Sequence, residues 1–247
     1  MSTSTETALR LAEVRGRIAE AAARVGRDAS RVRLVAVAKT ATPETLRAAW
    51  EAGQRAYGHN RVERLEEHRA VLPEAEWHAI GPLQGKKVRR AVRAAACIHT
   101  VGEDKTAERI RRVVEEDGLE GQPVLLQANL LPEDGRYGCP LPAEGDAGAA
   151  PGGALRVLAE AVALLPGLHP RGLMTIAPPD WDESSLRAGF ARLRAAAEAL
   201  ALASLLPVDP ELSMGMSGDY EIAAEEGATL VRVGRAIFPS EEPRGSV

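Results

Sequence analysis

Short apolar runs alternate with amphipathic segments along most of the chain. Eight runs are rich in aliphatic and β-branched residues and have the length of β-strands; they span residues 33–38, 55–58, 76–80, 97–101, 122–130, 170–176, 212–214 and 228–233. Apolar residues at helical spacing precede the first run and follow most of the others, at 8–25, 43–51, 61–71, 84–95, 103–116, 183–202 and 218–226. Such strands pair in parallel, because a parallel neighbour needs a long crossover connection.

The number of strands predicts the fold class. Eight strand–helix units favour a closed α/β structure, a single (β/α)8 TIM barrel with an extra N-terminal helix, and an open doubly wound sheet is the alternative. No second domain is indicated, so we expect one domain over residues 1–247 with its core at about 8–239. Residues 131–153 are rich in Pro, Gly, Ala and acidic side chains, which predicts a mobile surface loop that is poorly ordered over 140–153.

Composition and charge argue against several classes of function. The formal net charge is -4, and the basic residues are interspersed with acidic ones, which disfavours nucleic-acid binding. Cys97 and Cys139 lack the spacing of a ligand pair, so we expect reduced thiols and no metal site. Residues 1–10 lack the pattern of a signal peptide, and no apolar run approaches the ~20 residues of a membrane helix. A cytoplasmic protein without membrane contact is therefore predicted.

Lys39 directly follows the first apolar run. In a barrel of this kind, ligands bind where the carboxyl ends of the strands converge. Burial at the end of an apolar strand favours an uncharged amine, the form that attacks an aldehyde to give a Schiff base. A lysine at this place can equally extend past the strand into water. Its position alone leaves Lys39 either a nucleophile or a surface residue.

Glycine and hydroxyl side chains follow the last two predicted strands. Gly215 and Ser217 come before a predicted helix, and Gly234 and Arg235 follow the eighth strand. Free amides at the start of a helix favour a phosphate, and the loops after the last two strands are its usual place in such barrels. Ser217 acting as an ordinary N-cap would explain part of this pattern without a ligand.

Further side chains are predicted near the same end of the barrel. Arg232 lies within the eighth run, where it either points inward onto an acceptor or forms an outward salt bridge. His78 in the third run is either a ligand contact or a hydrogen-bonded core histidine. Met214 and Met216 are interpreted as pocket walls, and Asn60 follows the second run.

Several strings, taken together and in order, resemble the pyridoxal phosphate homeostasis protein family. They are Val35-Ala36-Val37-Ala38-Lys39-Thr40, Gly58-His59-Asn60, Trp77-His78-Ala79-Ile80-Gly81-Pro82-Leu83-Gln84, Gly172-Leu173-Met174, and the segments 212–219 and 231–238. The resemblance runs from about residue 8 to residue 239 and implies a barrel similar to the N-terminal domain of alanine racemase. It further implies pyridoxal 5'-phosphate (PLP) as the cofactor, bound as a Schiff base on Lys39.

The resemblance also implies roles for single residues. Asn60 would lie near the phenolic oxygen of the cofactor, Arg232 would face the pyridine nitrogen, and Ser217, Gly234 and Arg235 would hold the phosphate. An arginine cannot accept a proton, so the ring nitrogen would stay largely unprotonated and the ring would be a poor electron sink. The sequence departs from the family at residue 235, where a guanidinium replaces the usual hydroxyl.

The function implied by the resemblance is intracellular vitamin B6 homeostasis. A monomer would hold PLP without a dedicated reaction and exchange it with PLP-dependent apoenzymes. One alternative is an amino-acid racemase, which needs a second acid–base group opposite Lys39. The only tyrosines, Tyr57, Tyr137 and Tyr220, have no evident claim to that role. The other alternative, a barrel that binds a different phosphorylated metabolite without a covalent link, leaves Lys39 and Asn60 unexplained.

Overall fold

Eight parallel strands close into a barrel in the computed structural model, which describes residues 2–141 and 152–239. The strands of the sheet are β1 (Arg33–Val37), β2 (Ala56–His59), β3 (Glu76–Ala79), β4 (Cys97–Val101), β5 (Gln122–Asn129), β6 (Cys139–Pro140), β7 (Leu168–Thr175), β8 (Glu211–Ser213) and β9 (Leu230–Val233). All of them except the short β6 form the barrel wall, in the order β1-β2-β3-β4-β5-β7-β8-β9, and β9 pairs with β1. The closed (β/α)8 barrel is confirmed, and the pairing of β4 with β5 excludes an open sheet.

Helices surround the barrel. They are α1 (Thr3–Arg24), α2 (Pro43–Glu51), α3 (Val62–Val71), α4 (Lys87–Ala94), α5 (Asp104–Glu116), α6 (Ala154–Ala163), α7 (Glu183–Leu202) and α8 (Tyr220–Glu225). The predicted N-terminal helix is present as α1, which buries Leu11, Val14 and Ile18 and packs against both α2 and α8. It therefore fills the place in the helix ring between the last helix and the first one after β1.

Local sequence signals fix several helix ends. Thr42 caps α2 by accepting from the Thr45 amide, and Pro43 occupies the first helical position, where its missing N–H costs nothing. Asp182 caps α7 in the same way by accepting from the Ser185 amide. Both helices span the residues that the sequence pattern predicts.

The segment 131–153, predicted as a mobile surface loop, contains some regular secondary structure. Its first part contains a 3-10 turn at Pro132–Asp134 and the strand β6, which pairs with the end of β5. The next helix, α6, was not predicted, although Leu155, Leu158 and Val162 are buried at helical spacing. The neighbouring Gly- and Ala-rich composition hid that pattern. The expectation of poor order over 140–153 falls largely on residues 142–151, which lie outside the described residues.

Two buried layers result from the alternation of side chains along the strands. Helices and the outer face of the barrel enclose the main hydrophobic core. A separate cluster contains inward-facing residues, namely Val35, Ala56, Cys97, Leu125, Met174 and Leu230. Polar inward-facing side chains lie beyond this cluster. Within the described ranges, no helix has both the length and the apolar character needed to cross a membrane.

Candidate functional site at the barrel mouth

Lys39 lies two residues beyond the end of β1, at the carboxyl end of the barrel. Its side chain is exposed, so the expectation that the apolar strand desolvates this amine is wrong. The neighbouring Thr40 donates a hydrogen bond of 2.6 Å to the carbonyl of Phe238, beyond the end of β9. Lys39 is therefore held beside the segment that follows β9.

Gly234 follows β9 and approaches β1 closely. A Cβ atom at this position would lie 3.0 Å from the carbonyl oxygen of Val37, so a side chain would crowd the β1 backbone next to Lys39. The absence of a side chain leaves the backbone of Gly234 accessible beside the lysine. This is the kind of close approach for which glycine is suited.

Asn60 follows β2 and is exposed at the same end of the barrel. Its backbone is pressed against the start of the next loop, because a Cβ atom at Gly81 would lie 2.1 Å from the Asn60 carbonyl oxygen. This close approach of the Asn60 backbone explains why position 81 requires a glycine. Asn60 and Lys39 are brought to adjacent strand ends, as the sequence predicts.

Two tight turns follow β8 and β9. In the first, the amide of Tyr220 donates to the Met216 carbonyl, and in the second the amides of Ile237 and Phe238 donate to the Gly234 carbonyl. The amides at the start of these turns, those of Ser217, Gly218, Arg235 and Ala236, have no acceptor among residues 2–141 and 152–239. Amides arranged in this way suit an anion.

The side chains of these turns are partly accessible. Ser217 is half-buried, and Met216 and Arg235 are exposed. Ser217 is not the N-cap that the sequence left as an alternative, because the hydroxyl accepts no amide within the described ranges and α8 begins after Asp219. The Ser217 hydroxyl is therefore available to a ligand.

Arg232 points into the barrel, which resolves the alternatives left by the sequence. The residue is 3% exposed. Its Nη1 donates to Ser213 Oγ at 2.6 Å, and its Nη2 donates to the Thr175 carbonyl at 2.8 Å. Burial lowers the pKa of the guanidinium to about 10, against the opposing influence of the Asp219 carboxylate, so the side chain remains a cation at neutral pH.

His78 and Met214 do not line the mouth. His78 is 2% exposed and hydrogen-bonds to His99 and Glu76 within the barrel, one inward position below Ile80. Met214 is fully buried in the core between the barrel and the helices, because the preceding Ser213 takes the inward position on β8. Of the nine residues predicted for the site, these two side chains are placed elsewhere.

A small cavity lies beside the mouth, between the ends of β3, β4, β5 and β7. Its volume is about 150 Å³, and its lining includes Ile80, Thr100, Gln127, Tyr137 and Ile176. The hydroxyl of Tyr137 accepts from the Gly102 amide and donates to the Thr100 carbonyl at 3.3 Å. The side of the cavity formed by Tyr137 was not predicted from the sequence, because β6 and the turn before it were interpreted as loop.

Known proteins are similar to this chain in both sequence and fold. The family model described as alanine racemase, N-terminal domain, matches residues 9–241. The pyridoxal phosphate homeostasis protein of Pseudomonas aeruginosa is 39% identical over 244 residues, which are 98% of this chain and 97% of that protein. The chain belongs to the pyridoxal phosphate homeostasis protein family. The sequence resemblance is thereby confirmed.

Solved structures extend the comparison. PipY of Synechococcus elongatus, solved with PLP bound, is 37% identical with a TM-score of 0.73, over 90% of this chain and 99% of that chain. Alanine racemase from Corynebacterium glutamicum is 14% identical with a TM-score of 0.66, over 96% of this chain and 63% of that chain. The second likeness shows a shared fold alone, and it leaves more than a third of the racemase chain without a counterpart here.

The barrel interior of this family member contains a cluster that the sequence did not reveal. The ligand-type atoms of His78, Cys97 and His99 all lie within 4.8 Å of one another. The three residues are on β3 and β4 and are far from the spacing of a metal motif, so only the pairing of these strands shows the cluster. His78 Nδ1 and His99 Nε2 are 2.7 Å apart and hydrogen-bonded to each other, and the two remaining ring nitrogens also have partners. Burial raises the pKa of the Cys97 thiol, which disfavours a thiolate.

Glu76 lies at the opposite, amino-terminal end of the barrel in this family member. The hydrogen bond from His78 and, secondarily, that from Arg33 lower the pKa of its carboxyl from 4.5 to about 2. A carboxyl with a lowered folded-state pKa stabilises the fold above its unfolded pKa, and this contribution is lost as the pH falls towards the folded value.

We therefore expect the pH to set the effect of Glu76→Gln on stability. Its urea midpoint should lie below that of the wild type at neutral pH, by a constant amount down to about pH 5. The difference should then narrow between pH 4.5 and about pH 2, where the wild-type carboxyl is protonated. Equilibrium urea unfolding at a series of pH values measures it. A difference that does not change over this range would contradict the lowered pKa.

Proposed function

We propose that the protein binds PLP at the barrel mouth and holds it covalently through Lys39, as a carrier in intracellular vitamin B6 homeostasis. The observation that carries this proposal is the meeting of three features at one end of the barrel. These are a lysine at the end of β1, an inward-pointing buried arginine on β9, and two turns whose first amides have no described partner. The PLP-bound structure of the relative PipY supports it.

The residues present fit this cofactor. The amides of Ser217, Gly218, Arg235 and Ala236 would bind its phosphate, together with the Ser217 hydroxyl and the close backbone approach at Gly234. Arg235 is exposed beside these amides and would add a charge-assisted contact. Asn60 would contact the phenolic oxygen, Arg232 the ring nitrogen, and Met216 would form an apolar wall.

These residues suit binding of the cofactor better than catalytic turnover. Bound PLP supplies an aldehyde for the amine and a ring that withdraws electrons best when its nitrogen is protonated. Arg232 has only donors and remains a cation, so it cannot accept a hydrogen bond from a protonated ring nitrogen. Lys39 supplies an acid–base group on one face only. The chain's own groups therefore bind and orient the cofactor and offer little help to carbanion chemistry.

The positions of the tyrosines disfavour the racemase alternative. Tyr57 is buried against Trp77 in the outer core, and Tyr220 is buried beside α1, where Arg17 lies over its ring. Tyr137 alone borders the cavity near the mouth, and its hydroxyl is already hydrogen-bonded to the backbone at Thr100 and Gly102. None of them is a free base opposite Lys39.

The visible spectrum of the purified protein tests the proposal. We expect a yellow protein whose band is lost on borohydride treatment, with the reduced adduct on the peptide that contains Lys39. Exchange of the α-hydrogen, followed by NMR across several amino acids in deuterium oxide, should remain near the rate of free PLP. A colourless protein that takes up no added PLP would refute the carrier, and rapid exchange would favour the racemase.

We further propose that the whole chain, residues 1–247, acts as one monomeric binding domain in the cytoplasm. PLP-dependent apoenzymes would be the recipients of its cofactor. Size-exclusion chromatography measures the oligomeric state of the carrier. Transfer of the visible band to the fraction that contains an added apoenzyme tests whether that enzyme is a recipient.

A further inference from the structure

A row of hydrogen bonds crosses the barrel interior from the mouth to the opposite end. Arg232 Nη1 lies 2.6 Å from Ser213 Oγ, and this oxygen lies 3.0 Å from His99 Nδ1. His99 Nε2 lies 2.7 Å from His78 Nδ1, and His78 Nε2 lies 3.1 Å from Glu76 Oε1. The row joins β9, β8, β4 and β3, and each of its three middle members is at most 2% exposed. These four contacts involve five residues, of which only the two outermost are charged groups in the neutral-histidine form.

The two ends of the row fix its direction. The guanidinium of Arg232 can only donate, and the ionised carboxylate of Glu76 can only accept. Ser213 Oγ therefore accepts from Arg232 and uses its single hydrogen to donate to His99 Nδ1. His99, with Nδ1 as acceptor, donates from Nε2 to His78 Nδ1. His78 then donates from Nε2 to Glu76. Only this direction of donation gives every donor and acceptor in the row a partner.

Electrostatics favour the neutral form of the histidine in the middle. Complete burial, with further contributions from His78, Arg232 and Arg33, holds the pKa of His99 well below its usual value. The reverse order would place a donor N–H of His99 against Ser213 and leave a lone pair of neutral His78 against the Glu76 carboxylate. Two acceptors at 3.1 Å repel each other, and the buried Ser213 hydrogen would lose its acceptor.

We propose that Ser213, His99, His78 and Glu76 form a one-way hydrogen-bond chain that holds Arg232 in position, an inference that rests on the proposed function. A buried cation needs compensation, and the Asp219 carboxylate supplies part of it through space. The hydrogen-bond chain adds a connection from Arg232 to a second carboxylate, that of Glu76 at the far end of the barrel. Glu76 is thus a positioning residue for the cofactor although it lies at the opposite end of the barrel from the mouth.

Glu76 itself is held from outside the row. Both of its carboxylate oxygens lie 2.8 Å from Arg33 Nη2 on β1. Hydrogen bonds in such a row polarise one another, so a charge at one end strengthens the contacts along it. Removing only the charge of Glu76 should therefore weaken the hold on Arg232, even if the amide oxygen of glutamine still accepts from His78.

The tautomers of the two histidines test the direction without any cofactor. In the apoprotein labelled with 15N-histidine, we expect Nε2 of both His78 and His99 to carry a hydrogen and Nδ1 of both to be the acceptor. The five histidines can be assigned by replacing each with glutamine in turn. A hydrogen on Nδ1 of either ring would overturn the one-way chain.

A matched pair of variants tests the effect on the cofactor. Glu76→Gln removes the charge at the end of the row, and Glu211→Gln removes a carboxylate at the same end of the barrel that pairs with Arg171 and not with the row. From the PLP-loaded protein, we expect release of the cofactor to an excess of scavenging amine to be about tenfold faster for Glu76→Gln. For Glu211→Gln the rate should stay within about twofold of the wild type.

The possible outcomes distinguish a failure of the hydrogen-bond chain from a failure of the proposed carrier function. Equal release rates for the two variants would refute the role of Glu76 while leaving the carrier intact. A wild-type protein that takes up no PLP would refute the carrier, and the histidine tautomers would still report on the direction of the chain. Sharp, dispersed amide NMR spectra of both variants verify that they are folded.

Discussion

Replacing Lys39 by alanine is expected to abolish the borohydride-fixed adduct and to weaken PLP binding on the order of 100-fold, equivalent to about 2.7 kcal/mol. Only contacts to the phosphate and ring would remain. Because Lys39 is exposed and lies outside β1, the free energy of unfolding of the apoprotein should change by less than about 0.5 kcal/mol. Equilibrium dialysis and mass spectrometry of the reduced protein measure the loss, and urea unfolding verifies the fold.

The small number of lysines allows a sharp control. The chain has only four, Lys39, Lys86, Lys87 and Lys105. A triple variant in which the other three become alanine retains Lys39 as the single lysine, and it should remain yellow and form one reduced adduct. An adduct in Lys39→Ala of the same yield as in the wild type would show that the covalent link lies elsewhere.

The second large effect is expected at Gly172, on β7 of the barrel wall. A Cβ atom there would lie 1.9 Å from the carbonyl oxygen of Glu211 and 2.6 Å from its amide nitrogen. Both atoms belong to the backbone of β8, which pairs with β7 at these two residues, so no side-chain rotation relieves the clash. Gly172→Ala should destabilise the fold by about 3 kcal/mol and lower the Tm by roughly 10 °C.

Gly16 provides the matched control for this substitution. It lies within α1, and nothing approaches a Cβ atom there within 4 Å. Gly16→Ala should therefore stabilise the protein by about 0.5–1 kcal/mol, since alanine loses less backbone freedom in a helix than glycine. Differential scanning calorimetry of the two variants compares the signs. A Tm for Gly172→Ala equal to that of the wild type would show that the two strands can separate without cost.

The sequence predicted the fold well because the signals for it are local. Alternation of short apolar runs with helical spacing defines the strand–helix units, and capping residues such as Thr42 and Asp182 place helix ends. Strand ends in a parallel barrel share one face, so the positions of Lys39 and Asn60 followed from the same pattern. The helix α6 was missed, because the Gly- and Ala-rich residues around its start carry no capping signal.

Other features depend on geometry that no local pattern contains. Whether Met214 or its neighbour Ser213 faces inward depends on a one-residue phase in a strand of three residues. The depth of His78 depends on how the strands are staggered, and its partner His99 comes from another strand. The exposure of Lys39 depends on the loops around it. For this reason the strand ends that bear Lys39 and Arg232 could be predicted, but the side chains that connect Arg232 to Glu76 could not.

The position of α1 has an evolutionary consequence. This helix precedes β1 in the chain, yet it packs between α8 and α2, where a regular barrel would have a helix following β9. The fold is thus equivalent to a circular permutation of eight ordinary strand–helix repeats, in which the last helix has been moved to the front. A gene rearrangement that joined the two ends and reopened the chain before β1 would preserve every strand pairing of the barrel.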